Sequence, residues 1–266
     1  MVYTVTFNPA LDYVLKTNSL NAGTINRALG DTIYYGGKGI NVSAILSRLG
    51  IDNKALGFIA GFTGAELEKM LTDDGIKCDF IPLPKGRTRI NVKIKSTSET
   101  DINAKGPEIT KDDIECLIKK LESSVSDNDY IVLSGSIPEN LPSDTYGKIL
   151  KCLTVKNIKA IIDASGELLL NTLKYKPFLI KPNHIELGEL FGTDITSDDD
   201  AIKYAKELQK LGAKNVLVSL GEKGAILVTE IGVFKAENAD GILINSTGCG
   251  DSMIAGFLAG IIQKND

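Results

Sequence analysis

The segment from residue 245 to residue 257, NSTGCGDSMIAGF, places small residues and a carboxylate at the start of a predicted helix. Gly248, Cys249 and Gly250 would leave their main-chain N–H groups free at the helix N-terminus, where the helix dipole also attracts anions. This pattern predicts a phosphate-binding site. Asp251 stands in the first turn, however, where its charge would repel a phosphate. If Asp251 only complements the helix dipole, it contributes about 0.3–1 kcal/mol.

A second glycine-rich segment, GGKGINV at residues 36–42, also has the composition of a ligand-binding loop. Its glycines let the backbone approach a ligand closely, Lys38 adds a positive charge, and Asn41 lies in the first turn of a predicted helix. The alternative is a glycine turn that caps a helix beside a solvated lysine. The segment is not a P-loop, because Thr32 stands where the first glycine is required and Gly39 where Ser or Thr is required.

Other site chemistries are disfavoured by the residues present. A dinucleotide fingerprint starting at Gly248 would need a small residue where Met253 stands, so a nicotinamide-dependent oxidoreductase is disfavoured. His184 is the only histidine, which excludes an HExxH metal site and leaves little room for a Ser–His–Asp arrangement. We therefore expect any general base to be a carboxylate or a lysine.

Composition predicts a globular protein without affinity for nucleic acid or membranes. Of 266 residues, 43% are apolar and 24% are charged, and the net charge of −4 gives no support for nucleic-acid binding. The four cysteines have no CxxC spacing, so neither a zinc site nor a disulfide framework is indicated. The N-terminus does not read as a signal peptide, and the longest apolar stretch, residues 253–262, is too short to span a bilayer. These features predict a soluble, cytoplasmic protein.

Short apolar runs alternate with helical patterns along most of the chain, which predicts an α/β fold with a parallel sheet and helices on both faces. Polar residues occur where the apolar runs end. In open α/β sheets, ligands bind beyond the carboxyl ends of the strands, so these residues favour a polar cleft over ordinary turns. They are Asn8, Ser134, Ser136, Asp163, Lys181, Asn183 and Ser219.

A small separate sheet is predicted from about residues 12–18, 28–36 and 87–105. In RTRINVKIK, polar and apolar residues alternate with period two, which is typical of an antiparallel sheet with one wet face. We interpret this sheet as a lid inserted into a single domain of residues 1–266. Arg87, Lys93 and Lys95 are interpreted as charges that keep an edge strand solvated. The segments NHIE and SLGEKGA also have ordinary readings, as a helix cap and a hairpin turn.

Taken together, these segments resemble the ribokinase-like (PfkB) carbohydrate kinases over essentially the whole chain. The motifs are NPALD, GGKGINV, TRINVKIKS with GPEI, LSGSIP, KPNHIE, SLGEKGA and GCGDS. The first motifs are most similar to the 1-phosphofructokinase branch, with tagatose-6-phosphate kinase as a close relative. The resemblance implies a ribokinase-like three-layer fold with a β lid, ATP and Mg²⁺ as cofactors, and a ketose phosphate as substrate.

The resemblance also implies roles for individual residues. Lys38 and Arg89 would hold the phosphate already on the substrate, within a sugar site formed by Asp12, Gly36, Gly37, Lys38, Asn41, Arg89, Asn91 and Ser136. The nucleotide site would comprise Lys181, Asn183, Ser219, Gly221 and Gly224. Glu186 would bind magnesium, through water. Asp251 would be the catalytic base, with the amides of Gly248, Cys249 and Gly250 stabilising the transferring phosphoryl group.

Two departures from the family pattern raise alternatives. Cys249 stands where relatives usually have Ala, which is tolerable because only the amide is needed. Relatives continue for some tens of residues beyond the equivalent of Asp266, in a segment that helps to wall the adenine site. We therefore keep two alternatives to a kinase that converts fructose 1-phosphate to fructose 1,6-bisphosphate: a tagatose-6-phosphate kinase, and a catalytically weak sugar-phosphate-binding protein. A half-exposed lid would also favour a homodimer formed through that sheet.

Overall fold

The computed structural model describes residues 1–239, 241 and 248–264, and these residues form helices and strands in alternation. In chain order the elements are β1 (Val2–Thr6), β2 (Ala10–Lys16), β3 (Gly30–Gly36), α1 (Lys38–Arg48), β4 (Asn53–Ala60), α2 (Gly61–Asp73), β5 (Ile81–Leu83), β6 (Arg89–Lys95), β7 (Glu99–Ile102), α3 (Lys111–Ser124), β8 (Tyr130–Ser134), α4 (Thr145–Leu153), β9 (Lys159–Asp163), α5 (Gly166–Leu173), β10 (Leu179–Ile180), α6 (His184–Phe191), α7 (Asp198–Lys210), β11 (Asn215–Ser219), β12 (Ala225–Val228), β13 (Val233–Ala236) and α8 (Cys249–Lys264).

The large sheet has the strand order β13-β12-β11-β10-β9-β8-β1-β4-β5. Neighbouring strands run parallel from β5 across to β11, and only β12 and β13 pair antiparallel. The carboxyl ends of the parallel strands therefore lie along one edge, where open α/β sheets bind their ligands. None of the helices in the described part of the chain is long and apolar enough to cross a membrane.

The core explains why the central strands are apolar on both faces. In β8, Ile131 and Leu133 pack toward the face that carries α3 to α7, whereas Val132 packs toward the face that carries α1 and α8. All three side chains are fully buried, as expected for a parallel sheet that is covered on both sides. The predicted three-layer α/β architecture is thus confirmed.

The small sheet has the order β3-β2-β6-β7 and is mixed rather than purely antiparallel. β2 pairs antiparallel with β3, but it pairs in parallel with β6. The prediction that Lys93 and Lys95 lie on an edge strand is wrong, because β6 lies between β2 and β7. Lys93 pairs with Asp101 at 2.9 Å and Lys95 pairs with Glu99 at 3.3 Å, so cross-strand ion pairs accommodate their charges.

The two faces of the small sheet differ in polarity. On one face, Asp12 lies beside Asn91 in register, and this face turns toward the cleft described below. Asn91 is buried rather than wet, and its buried amide group donates a hydrogen bond to Asp12. On the other face, Leu11 packs against α2, but Ile33 and Ile102 are 47% and 57% exposed. The sheet therefore presents an apolar surface to solvent.

Candidate active site

A cleft of about 1150 Å³ opens at the carboxyl ends of β9, β10 and β11. The N-termini of α1 and α8 border it, and the small sheet contributes Asp12 and Arg89 to its lining. Several of the strand-end residues singled out in the sequence converge here, as predicted: Asp163, Lys181, Asn183 and Ser219. The predicted residues Gly37, Lys38, Asn41, Glu186, Gly221, Gly248, Cys249, Gly250 and Asp251 also line the cleft.

Asp251 lies in the first turn of α8 and is 5% exposed. Its Oδ2 accepts a hydrogen bond of 2.8 Å from Asn41 Nδ2, which links the first turns of α1 and α8. Burial raises the pKa of Asp251 above its usual value, and the nearby Asp163 adds to this rise, while Asn41, Lys38 and Lys181 oppose it. A carboxylate with a raised pKa is a better proton acceptor at neutral pH than an ordinary aspartate, provided that it is ionised.

Lys181 brings a positive charge to the N-terminus of α8. It directly follows β10 and is 5% exposed. A Cβ atom at position 250 would lie 2.9 Å from Lys181 Nζ, so the ammonium group sits against the backbone of Gly250. Gly248 has φ +81°, a conformation that side chains rarely adopt, at the turn leading into the helix. The N-terminal N–H groups of α8, the helix dipole and an ammonium group therefore meet at one point, which suits a phosphoryl group.

Asp163, for which the sequence suggested only a place at a strand end, lies between the two cleft lysines. Its Oδ1 is 3.2 Å from Lys181 Nζ and 3.4 Å from Lys38 Nζ. The side chain is 1% exposed, and its Oδ2 has no hydrogen-bond partner among the described residues. The sequence signal was a polar residue ending the apolar run of β9, but only the fold shows which charges it meets.

On the lid side, Asn91 Nδ2 donates to Asp12 Oδ1 at 2.8 Å, which fixes the carboxylate at the rim of the cleft. A Cβ atom at position 36 would lie 2.9 Å from Asp12 Oδ2, so Gly36 makes room for that carboxylate rather than lining the cleft itself. Gly37 has φ +124° and is the N-cap of α1. Its close approach to the Thr6 side chain leaves no space for a Cβ atom.

Arg89 reaches toward the large sheet through Asn8. Arg89 Nη2 donates to the carbonyl oxygen of Asn8 at 3.0 Å, and Asn8 Nδ2 donates to the carbonyl oxygen of Ser136 at 3.1 Å. Arg89 Nε is buried and has no partner among the described residues. Ser136 is therefore connected to Arg89 only through Asn8, and it does not line the cleft.

On the other side of the cleft, Asn183 and Glu186 form a reciprocal cap on α6. Asn183 Oδ1 accepts from the N–H of Glu186 at 2.8 Å, and Glu186 Oε2 accepts from the N–H of Asn183 at 2.9 Å. The helix-cap reading of this segment is thus correct, and it also orients Glu186, whose other oxygen stays free of that cap. His184, the single histidine, also lines the cleft.

The segment SLGEKGA forms the turn between β11 and β12. Ser219 and Gly221 line the cleft. Gly224 has φ +85°, and a Cβ atom there would come within 2.0 Å of the Ala236 carbonyl oxygen. Gly224 is therefore required by the turn itself, which accounts for its identity without a ligand.

The described residues contain no group of three or more His, Cys, Asp or Glu side chains able to hold a metal ion. Mg²⁺ usually binds through one or two carboxylates together with substrate phosphates and water. The cleft carboxylate Glu186, with one oxygen outside the helix cap, fits such a partial site, completed by a bound nucleotide.

Comparison with known proteins gives a consistent result. Residues 6–266 match the family described as pfkB family carbohydrate kinase. A 1-phosphofructokinase from Bacillus subtilis (strain 168) is 47% identical over 264 residues, covering 99% of this chain and 86% of that protein. A D-tagatose-1-phosphate kinase from Bacillus licheniformis is 38% identical, covering 97% and 84%. Phosphofructokinase-2 from Escherichia coli, solved in complex with substrates and products, has a TM-score of 0.93 at 27% identity, covering 99% and 87%.

Proposed function

The chain belongs to the pfkB family of carbohydrate kinases, and from that membership we propose that it transfers the γ-phosphoryl group of ATP to fructose 1-phosphate, giving fructose 1,6-bisphosphate. That it is a sugar-phosphate kinase follows from the family and from its relatives. The proposed phosphoryl transfer rests on one observation, the buried carboxylate of Asp251. This carboxylate accepts a hydrogen bond from Asn41 and lies in the first turn of α8, next to the N–H groups that would bind an anion.

The sugar phosphate would occupy the side of the cleft nearest the lid. Asp12 and Asn41 offer a carboxylate and an amide to the sugar hydroxyls, and Asn91 holds Asp12 in place. Lys38 and Arg89 provide two positive charges for the phosphate at carbon 1. This arrangement leaves the hydroxyl at carbon 6 to approach Asp251.

The nucleotide would occupy the opposite side, along Asn183, Ser219 and Gly221. Lys181 and the N–H groups at the start of α8 would bind the γ-phosphoryl group. As the hydroxyl oxygen bonds to phosphorus, its proton passes to the Asp251 carboxylate and the bond from phosphorus to the leaving ADP oxygen breaks. Magnesium, held by Glu186 through water together with the ATP phosphates, would supply charge neutralisation.

A substrate panel tests this proposal. ADP release should be fastest with fructose 1-phosphate, and slower with tagatose 1-phosphate, tagatose 6-phosphate and fructose 6-phosphate. Tagatose 1-phosphate is included because one relative is a D-tagatose-1-phosphate kinase and because it places phosphate and reacting hydroxyl at the same two ends of the sugar. Preference for a 6-phosphate would refute the orientation. Calorimetric binding of fructose 1-phosphate without any ADP release would instead favour a binding protein.

The hydrogen bond from Asn41 gives a pH-dependent prediction. This bond lowers the pKa of Asp251 and so opposes the effect of burial. In Asn41→Ala the pKa of Asp251 should therefore rise further, because the carboxylate loses a donor that favours its charged form. The acidic limb of the kcat/KM profile should move to higher pH than in the wild type. Ser252→Ala, which removes a hydroxyl that bonds to the Gly248 carbonyl oxygen in the same turn of α8, serves as the control and should leave that limb in place.

Cys249 offers a chemical probe of the nucleotide site. The residue is exposed and lies at the first turn of α8, in the wall of the cleft. Alkylation with iodoacetamide should inactivate the enzyme, because the adduct fills the phosphoryl position, and MgATP should slow the inactivation. Cys249→Ala should remain active, since only its main-chain N–H is needed, and should resist the reagent. Inactivation of that variant at the wild-type rate would place the sensitive thiol elsewhere.

We also propose that the lid forms a homodimer through its apolar face. Ile33 and Ile102 are exposed on that face, and Ile25 and Leu29 in the preceding loop are 88% and 70% exposed. Covering this surface with a second copy would remove apolar area from water. Ile33→Asp should sediment as a monomer at a concentration where the wild type is dimeric. Ile231→Asp, at an 89% exposed position between β12 and β13, should not change the sedimentation coefficient.

A further inference from the structure

We propose that Asp163 is a positioning residue that holds Lys38 and Lys181 side by side through a single carboxylate oxygen. This inference rests on the proposed function, since it concerns the two lysines that would bind the phosphates of the two substrates. Neither the sequence motifs nor the proposed mechanism gives Asp163 a role.

The geometry places Asp163 where two separate parts of the chain meet. Lys38 begins α1, and Lys181 follows β10, so no shared element fixes the distance between their ammonium groups. Both Nζ atoms approach the same Oδ1 of Asp163, at 3.4 and 3.2 Å. Asp163 ends β9, a strand that is paired on both sides, and it pairs in register with Ser134 of β8, which fixes its backbone position.

The surroundings give Asp163 no other structural task. The N-cap of α5 is Ser165, and no side chain caps that helix. Within the described part of the chain, the hydrogen bonds and ion pairs of the carboxylate go to the two lysines only. A carboxylate that is 1% exposed is costly to bury unless charged partners compensate it. The cost is explained if the charge is kept in order to hold the lysines.

A row of buried oxygens marks the same place. Thr6, Ser134 and Asp163 end three neighbouring strands in register, and each has a buried side-chain oxygen without a protein partner among the described residues. The row lies close to Lys38, because a Cβ atom at the next residue, Gly135, would lie within 4 Å of the Lys38 stem. Ser134 is therefore a matched control: it is as buried as Asp163 and pairs with it in register, yet its hydroxyl makes no hydrogen bond to either lysine or to any other described residue.

The central test is the Asp163→Asn variant, assayed with fructose 1-phosphate and ATP. Without the counter-charge the two ammonium groups repel each other, and we expect the KM for both substrates to rise roughly tenfold, the size of a lost charged hydrogen bond. Ser134→Ala should leave both KM values within about twofold. If Asp163→Asn lowers the melting temperature but leaves both KM values unchanged, the residue is only structural and the proposal fails.

A double variant separates the two lysines. In a Lys38→Met background, Asp163→Asn should add no further rise in the KM for the sugar phosphate, because that contact is already lost. It should still raise the KM for ATP through Lys181. If the two substitutions raised the KM for the sugar phosphate independently of each other, the proposal would be overturned.

If Asp163→Asn fails to fold, a second variant tests the same proposal. Asp163→Glu keeps the buried charge but shifts it by one methylene, and it should raise both KM values in the same way.

The pH profile gives a readout that a purely structural role would not move. Asp251 is faced by Asn41 and Lys38 from α1, by Asp163 from β9 and by Lys181 after β10. Since Asp163 raises the pKa of Asp251, its neutralisation should move the acidic limb of kcat/KM to lower pH. A changed magnesium requirement with unaltered KM values would make Asp163 a metal ligand and contradict the proposal. Wild-type protein inactive on every sugar phosphate would instead refute the proposed function.

Discussion

Replacement of Asp251 by asparagine is expected to lower kcat with fructose 1-phosphate by about 10²- to 10⁴-fold, the usual contribution of a general base. Asparagine is similar in size and can still accept the hydrogen bond from Asn41, so the cleft should keep its shape. Calorimetry should therefore show fructose 1-phosphate binding close to that of the wild type. If Asp251 only complements the helix dipole, the loss in rate should be small, and the assignment of the base would be wrong.

The control for this variant is Ser252→Ala, one residue further along α8. Ser252 is exposed, and its hydroxyl donates to the Gly248 carbonyl oxygen at 2.8 Å, so it belongs to the same turn but does not line the cleft. We expect its kcat to remain within about threefold of the wild type, because an exposed hydroxyl of this kind contributes on the order of 0.5 kcal/mol. A large loss of kcat in Ser252→Ala would mean that kcat is sensitive to any change in this turn, so the Asp251→Asn result would not identify the base.

The same substitution of Asp251 should stabilise the protein. Burial raises the pKa of Asp251 in the folded state, so its favourable contribution to folding is fully present below the unfolded pKa and is lost as pH rises through the folded pKa. At neutral pH the buried, ionised Asp251 therefore lowers the free energy of unfolding of the wild type, whereas the neutral asparagine does not. The melting temperature of Asp251→Asn should exceed that of the wild type at pH 7, and the difference should shrink below pH 4.

The sequence predicted the architecture well because its signals are local. Buried runs such as YIVLS are apolar on both faces, as in a parallel strand that is covered on both sides, and residues such as Lys181 mark the strand ends. The glycine-rich starts of α1 and α8 were likewise visible from composition. These features do not depend on which strands become neighbours.

What the sequence could not give is the pairing across long distances. Period-two alternation in RTRINVKIK looks the same in a parallel and in an antiparallel strand, so the parallel pairing of β2 with β6 was missed. Asn91 was expected on a wet face, but it is buried and donates a hydrogen bond to Asp12, which lies 79 residues earlier in the chain. The sequence marked Asp163 only as a strand end. Its two ion-pair partners, Lys38 at the start of α1 and Lys181 after β10, are distant in the chain, so the pairing could not be predicted.

Lys181→Met is expected to lower kcat by about 10²- to 10³-fold, comparable to the loss of one donor to a developing anionic charge. The Lys181 ammonium group lies against the Gly250 backbone at the start of α8, where the γ-phosphoryl group would be bound. Methionine keeps the apolar stem at a position that is 5% exposed, so the change removes charge with little change in packing. Among the described residues, it also leaves Asp163 with Lys38 as its one remaining cationic partner.

Lys159→Met is the matched control, because Lys159 is a half-buried lysine at the opposite end of β9, packed over the rings of Tyr130 and Phe178. It should lose stability without losing kcat. The decisive comparison is the rate at saturating ATP: a defect in nucleotide affinity alone disappears there, whereas a loss of phosphoryl stabilisation persists. If Lys181→Met recovered the wild-type rate at high ATP, Lys181 would serve binding only, and the N–H groups of α8 would carry the stabilisation of the transferring group.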